Sequence, residues 1–167
     1  MKGGNAPFDQ QLLLLLGEIT LCNGRINLYP TTQTRTNGGS LSLPTLLIVD
    51  DEPLMTEMLS AYLTRLGYHI ETACNGQVAL DLIRQKSNLI RIVITDMMMP
   101  VMNGVQLAFQ LSLEAPDIPV LLATGRDAQE TALNLPFNVV EVVQKPYQSK
   151  VLAESIKAQI GKSALEI

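Results

Sequence analysis

Beyond position 44 the β-branched and aliphatic residues arrive in short runs, at 45–49, 70–73, 92–95, 120–123 and 139–143, each closed by turn-forming or polar residues. Between them lie longer stretches whose apolar positions recur every three or four residues, at 53–66, 77–86, 105–114, more weakly at 128–133, and at 149–160. Short runs of this kind predict strands and the longer spacing predicts helices. Strand and helix alternate five times, so the chain is expected to form an α/β fold with five parallel strands and helices on both faces. The near absence of polar residues in LLIV, IVI and VLLA agrees, because a central parallel strand is buried on both sides. In the first helix Leu54, Met58, Leu59, Tyr62 and Leu66 are expected to share the buried face, with Asp51 or Glu52 at the start, Pro53 in the first turn and Gly67 past the end.

The first 44 residues read differently. The stretch TTQTRTNGGSLSLP at 31–44 is polar and rich in Thr, Ser, Gly and Asn, the texture of a linker. Ahead of it, GEITLCNGRINLYP predicts two short strands about the turn pair Asn23-Gly24. The expected organisation is therefore an extension at 1–30, a linker at 31–44, a domain at 45–161 and a tail at 162–167.

Composition narrows the function. With 47% hydrophobic and 17% charged residues the chain has ample material for a core. The formal charge of −4 is carried beyond the linker, since Lys2, Arg25 and Arg35 outweigh Asp9 and Glu18 before Pro44. An acidic domain disfavours direct contact with nucleic acid. The leucine run at 12–16 is too short to span a bilayer and lacks the features of a secretion signal, so no membrane insertion and a cytoplasmic setting are expected. Two cysteines, Cys22 and Cys74, supply neither a disulfide framework nor a metal cage, and both read as reduced apolar filler.

In an open parallel sheet ligands gather at the carboxyl ends of the strands. There the sequence places Asp50, Asp51 and Glu52 after the first strand, Asp96 after the third, Thr124 and Gly125 after the fourth, and Lys145-Pro146 after the fifth. Crowded carboxylates resist ionisation unless a cation offsets them, which points to a hard, oxygen-ligated ion such as Mg²⁺ at Asp50, Asp51 and Asp96. Asp96 then suits nucleophilic attack on phosphorus, with Thr124 and Lys145 holding the phosphoryl oxygens.

The segments LLIVDDEP at 46–53, VITDMMMPVMNG at 93–104, LLATG at 121–125 and VVQKPY at 142–147 resemble the signatures of response-regulator receiver domains over 45–161. The resemblance implies a flavodoxin-like doubly wound sheet. It implies Asp96 as the phosphoacceptor, served by a histidine kinase or a histidine phosphotransfer protein, with Mg²⁺ on Asp50, Asp51, Asp96 and the backbone carbonyl of Met98. It further implies Thr124 as the hydroxyl that moves toward the phosphoryl group, Lys145 as its ion-pair partner, and a cis bond between Lys145 and Pro146. Nothing resembling a DNA-binding module follows position 160, so output is expected through a downstream protein target, docked on the face around 128–133, 139–143 and 149–160. The chain also resembles the C-terminal receiver of a hybrid histidine kinase, because its 17–30 segment is similar in texture to the last strands of a kinase ATP-binding domain.

In such domains the second residue after the aspartate and the second after the hydroxyl tune phosphoryl lifetime; here these are Met98 and Arg126. One position departs from the pattern. Where many receivers carry Phe or Tyr three residues before the lysine, this chain has Val142, which leaves the usual aromatic step without its residue; Tyr147, after the proline, is not assigned that part. An acidic pair after a strand is also a common helix cap, the four methionines at 97–102 read as packing rather than a soft-metal site, and His69 has no catalytic partner. Two other functions compete: a phosphatase working through an aspartyl phosphate, which would want an acid where Met98 stands, and an interaction module that no longer takes phosphate.

Overall fold

The computed structural model describes residues 18–22, 25–29, 43–125 and 134–163, and divides the chain into two compact units, Met1–Leu41 and Ser42–Ile167. In the first unit β1 (Glu18–Cys22) and β2 (Arg25–Tyr29) pair antiparallel, with Glu18 opposite Tyr29 and Cys22 opposite Arg25.

In the second unit the strands are β3 (Thr45–Val49), β4 (His69–Ala73), β5 (Ile90–Asp96), β6 (Val120–Thr124) and β7 (Val139–Gln144). All pairings are parallel and the order is β4-β3-β5-β6-β7, the doubly wound arrangement expected. The helices are α1 (Pro53–Arg65), α2 (Gly76–Lys86), α3 (Gly104–Glu114) and α4 (Ser149–Ser163). The weak helical stretch expected at 128–133, like the linker at 31–42, lies outside the described residues.

Alternation along β3 separates two cores. Leu46 and Ile48 point to one face, where Ile92, Ile94 and Leu121 meet Leu59 and Leu63 of α1 and Leu152 and Ile156 of α4. Leu47 and Val49 point to the other, where Val93 and Val120 meet Ala79, Leu80 and Ile83 of α2 and Leu107 and Leu111 of α3. Each such side chain taken fully from water contributes about 1.5–3 kcal/mol.

Local signals account for the helix starts. Asn75 caps α2 by accepting from the Val78 N–H, and Asn103 with Gln106 forms a reciprocal capping box on α3. The stripe expected on α1 is corrected. Leu59 and Leu63 are buried and Tyr62 is half-buried, while Leu54, Met58 and Leu66 are 73%, 69% and 52% exposed. The helix carries two apolar stripes about a third of a turn apart, and only the one through 59 and 63 can reach the sheet.

Candidate functional site

β3 and β5 lie side by side at the centre of the sheet, so the residues that end them, Asp50 and Asp96, come out next to each other. β6 ends in Thr124, and its pairing with Gln144 at the end of β7 brings Lys145 to the same edge. The Lys145 N–H donates to the Thr124 carbonyl at 2.7 Å, and the Lys145-Pro146 bond is cis, as expected.

The Lys145 ammonium sits between the two acids, 2.6 Å from Asp96 Oδ1 and 2.9 Å from Asp50 Oδ2. Both carboxylates are largely buried, with side chains 11% and 8% exposed. Burial by itself lowers the Lys145 pKa, but the hydrogen bonds and charges of Asp96 and Asp50 outweigh it and hold the group well above the ordinary lysine value. Lys145 is therefore a permanent cation at neutral pH.

Each acid keeps one oxygen for the backbone. The Glu52 N–H donates to Asp50 Oδ1 at 2.9 Å, so Asp50 serves the start of α1 as well as the site. The Met98 N–H donates to Asp96 Oδ2 at 2.9 Å, and the Met98 side chain points outward, 61% exposed. Thr124 is fully buried. Asp51 follows Asp50 at the rim, partly exposed.

The loop from Met97 to Asn103 is held from two sides. The Met97 N–H donates to the Ala123 carbonyl, and the Gly104 N–H returns to the Met97 carbonyl. A Cβ on Gly104 would collide with the Asp96 carbonyl oxygen and approach Leu122, and one on Gly76 would lie 2.7 Å from the Met102 carbonyl oxygen. Val101, at the tip, has φ of 68°, a left-handed backbone that a β-branched residue rarely adopts.

The expected metal set is only partly drawn together. Among the described residues no group of three or more acidic, histidine or cysteine side chains is close enough to hold an ion, and Lys145 supplies the positive charge between Asp50 and Asp96. The donor chemistry nevertheless fits Mg²⁺: two nearly buried carboxylates turn one oxygen each toward a single cationic point, and every donor is a hard oxygen.

Sequence reasoning missed several neighbours. Thr56, in the first turn of α1, donates to the Glu52 carbonyl at 3.1 Å and to the Asp50 carbonyl at 3.4 Å. With Met55, Leu59, Thr95, Ala123 and Tyr147 it lines a small pocket beside Asp50 and Asp96. Burial pushes the Tyr147 hydroxyl pKa up; Lys145 pulls it down, and Asp50 and Asp96 push it up again. Pocket-lining residues of this kind carry no motif, because their helical spacing equals that of core residues. Val142, the position that departs from the receiver pattern, is half-buried on the edge strand opposite Leu122.

Residues 46–157 match the family described as "Response regulator receiver domain". Among curated proteins the chain is 33% identical over 120 residues to the transcriptional regulatory protein CpxR homolog of Haemophilus influenzae, covering 71% of this chain and 51% of that one. It is 32% identical over 120 residues to the response regulator MprA of a Mycobacterium species, with the same two coverages. The chain thus spans about half the length of the curated relatives it matches. Among solved structures, a receiver domain protein from Clostridium thermocellum superposes with a TM-score of 0.70 at 26% identity, over 75% of this chain and 100% of the other. The response regulator TrrA of Thermotoga maritima, solved in complex with Mg²⁺ and BeF, superposes with a TM-score of 0.62 at 31% identity, over 70% and 99%.

Proposed function

The chain belongs to the response-regulator receiver family of two-component signalling, and from that premise we propose that Asp96 is its phosphoacceptor and that Asp50, Thr124 and Lys145 complete the transfer site. The observation that carries this is the ammonium of Lys145 lying within hydrogen-bonding distance of both Asp50 and Asp96. An Asp96 oxygen attacks phosphorus; the P–N bond to the donor histidine breaks and its electron pair stays on the imidazole nitrogen. Charge then builds on the phosphoryl oxygens, and a cation already in place stabilises it without reorganisation. Lys145 is tethered to Asp50 and through its backbone to Thr124, so it remains at the site when the Asp96 oxygen takes up phosphorus.

The residues that would hold Mg²⁺ are Asp50, Asp51, Asp96 and the backbone carbonyl of Met98. When bound, the ion supplies further charge against the phosphoryl oxygens. The TrrA complex with Mg²⁺ and BeF supports this reading as the behaviour of a relative.

The donor is a histidine kinase or a histidine phosphotransfer protein, and output passes to a protein target. Val140 on β7 and Val151 on α4, 41% and 51% exposed, are apolar positions open to such contact. The phosphatase alternative lacks its acid: Met98 occupies the place, and its side chain points to solvent. Among the described residues no helix is long and apolar enough to cross a membrane.

The test is incubation with phosphoramidate, a small P–N phosphodonor, in Mg²⁺. The wild-type chain should acquire a single acid-stable, base-labile phosphoryl group that Asp96→Asn does not acquire. Label that persists in Asp96→Asn removes the assignment, and repeated turnover of the donor would favour the phosphatase.

A further inference from the structure

Val142 stands where an aromatic ring is expected, yet a ring does reach the acid edge from another position. Tyr147 lies two residues past Lys145, packs on the core cluster that contains Leu59, and forms one wall of the pocket shared with Met55, Asp50 and Asp96. It is the one aromatic side chain in that lining. Its ring therefore shares that lining with Met55, Thr56 and Leu59 of α1. Lysine has four rotatable side-chain bonds and keeps a fixed position only where its surroundings remove the alternatives. The two carboxylates fix the ammonium end. On the chain side, Tyr147 packs on the core cluster that includes Leu59 and Leu63 of α1.

We propose that Tyr147 is a positioning residue for phosphoryl transfer: its ring, wedged between α1 and the acid edge, holds the Lys145 ammonium between Asp50 and Asp96. The proposal rests on the phosphoacceptor reading and goes beyond it, because it assigns the task to the ring and not to the hydroxyl. Phenylalanine should then serve as well as tyrosine, while removal of the ring should act only through Lys145.

The experiment follows the rate of mass gain of the full chain with phosphoramidate at fixed Mg²⁺. The proteins are wild type, Tyr147→Phe, Tyr147→Ala, Lys145→Ala and the Tyr147→Ala/Lys145→Ala double variant. Tyr147→Phe should stay within about twofold of wild type, and Tyr147→Ala should be slower by about tenfold, the scale on which neighbouring residues couple. The double variant should be no slower than Lys145→Ala alone. A general loss of structure would slow both backgrounds alike, and that result overturns the proposal. So does a Tyr147→Ala chain that labels at the wild-type rate, or a Tyr147→Phe chain as slow as the alanine variant. If Tyr147→Ala does not fold, Tyr147→Leu replaces it in the same cycle with the same criteria. A wild-type chain that takes no label is a separate result, and it overturns the phosphoacceptor reading itself.

Discussion

The central strands and the edge strands of the sheet divide the work of the site. β3 and β6 are buried at every residue and β5 at five of its seven, whereas β4 has one buried residue and β7 has none. Both acids end central strands, and the lysine that pairs with them arrives from an edge. A carboxylate that must present one oxygen to phosphorus gains from the most constrained backbone available. A cation that already lies between the two acids is fixed by them at its ammonium end, so its strand can be an exposed one.

Four substitutions sharpen or break this division. Leu121→Ala, in the middle of β6, should cost about 2–5 kcal/mol in urea unfolding, against less than about 1 kcal/mol for Val140→Ala on β7; equal costs would erase the distinction. Gly104→Ala should cost about 1–3 kcal/mol and slow phosphorylation, because the added Cβ meets the Asp96 carbonyl, a backbone group that cannot swing aside as a side chain would. Unchanged labelling in that variant would mean that the central acid is less constrained than the geometry requires. Val101→Gly should raise stability by about 1 kcal/mol, since glycine adopts the positive φ without the penalty that valine carries; a lower unfolding midpoint would contradict it.

The smallest effect concerns charge above the buried strands. Arg84 on α2 holds both Glu114 oxygens on α3, each at 2.8 Å, and this hydrogen bonding lowers the Glu114 pKa. A carboxylate lowered on folding stabilises above its unfolded value near 4.3, and that contribution fades as pH falls through the folded value. The pair is solvent-exposed and screened, so its contribution is small. Glu114→Gln should lower the urea midpoint slightly at pH 7 and have no effect near pH 3; a difference that persists in acid would contradict the pairing.

The parallel sheet and the residues at its strand ends were legible in the sequence because both follow from strong local patterns. Unbroken aliphatic runs such as LLIV can be satisfied only inside a parallel sheet, and the polar residue after each run must then fall at the ligand edge. Three features were not legible. Which stripe of α1 faces inward depends on the height of the helix over the sheet, so Leu54 and Met58 were misplaced. The part of Tyr147 in the pocket depends on where the segment after Lys145 turns, and Thr56 looked like any polar helix residue until it was seen beneath Asp50.

Asp96 is the residue on which phosphoryl transfer is most directly tested. Intact mass after treatment with a small phosphodonor, with Mg²⁺ and with a chelator, should show one added phosphoryl group in Mg²⁺, little or none in chelator, and none in Asp96→Asn. A chain that gains no mass in Mg²⁺, or gains it equally in the absence of Asp96, would contradict the phosphoacceptor reading.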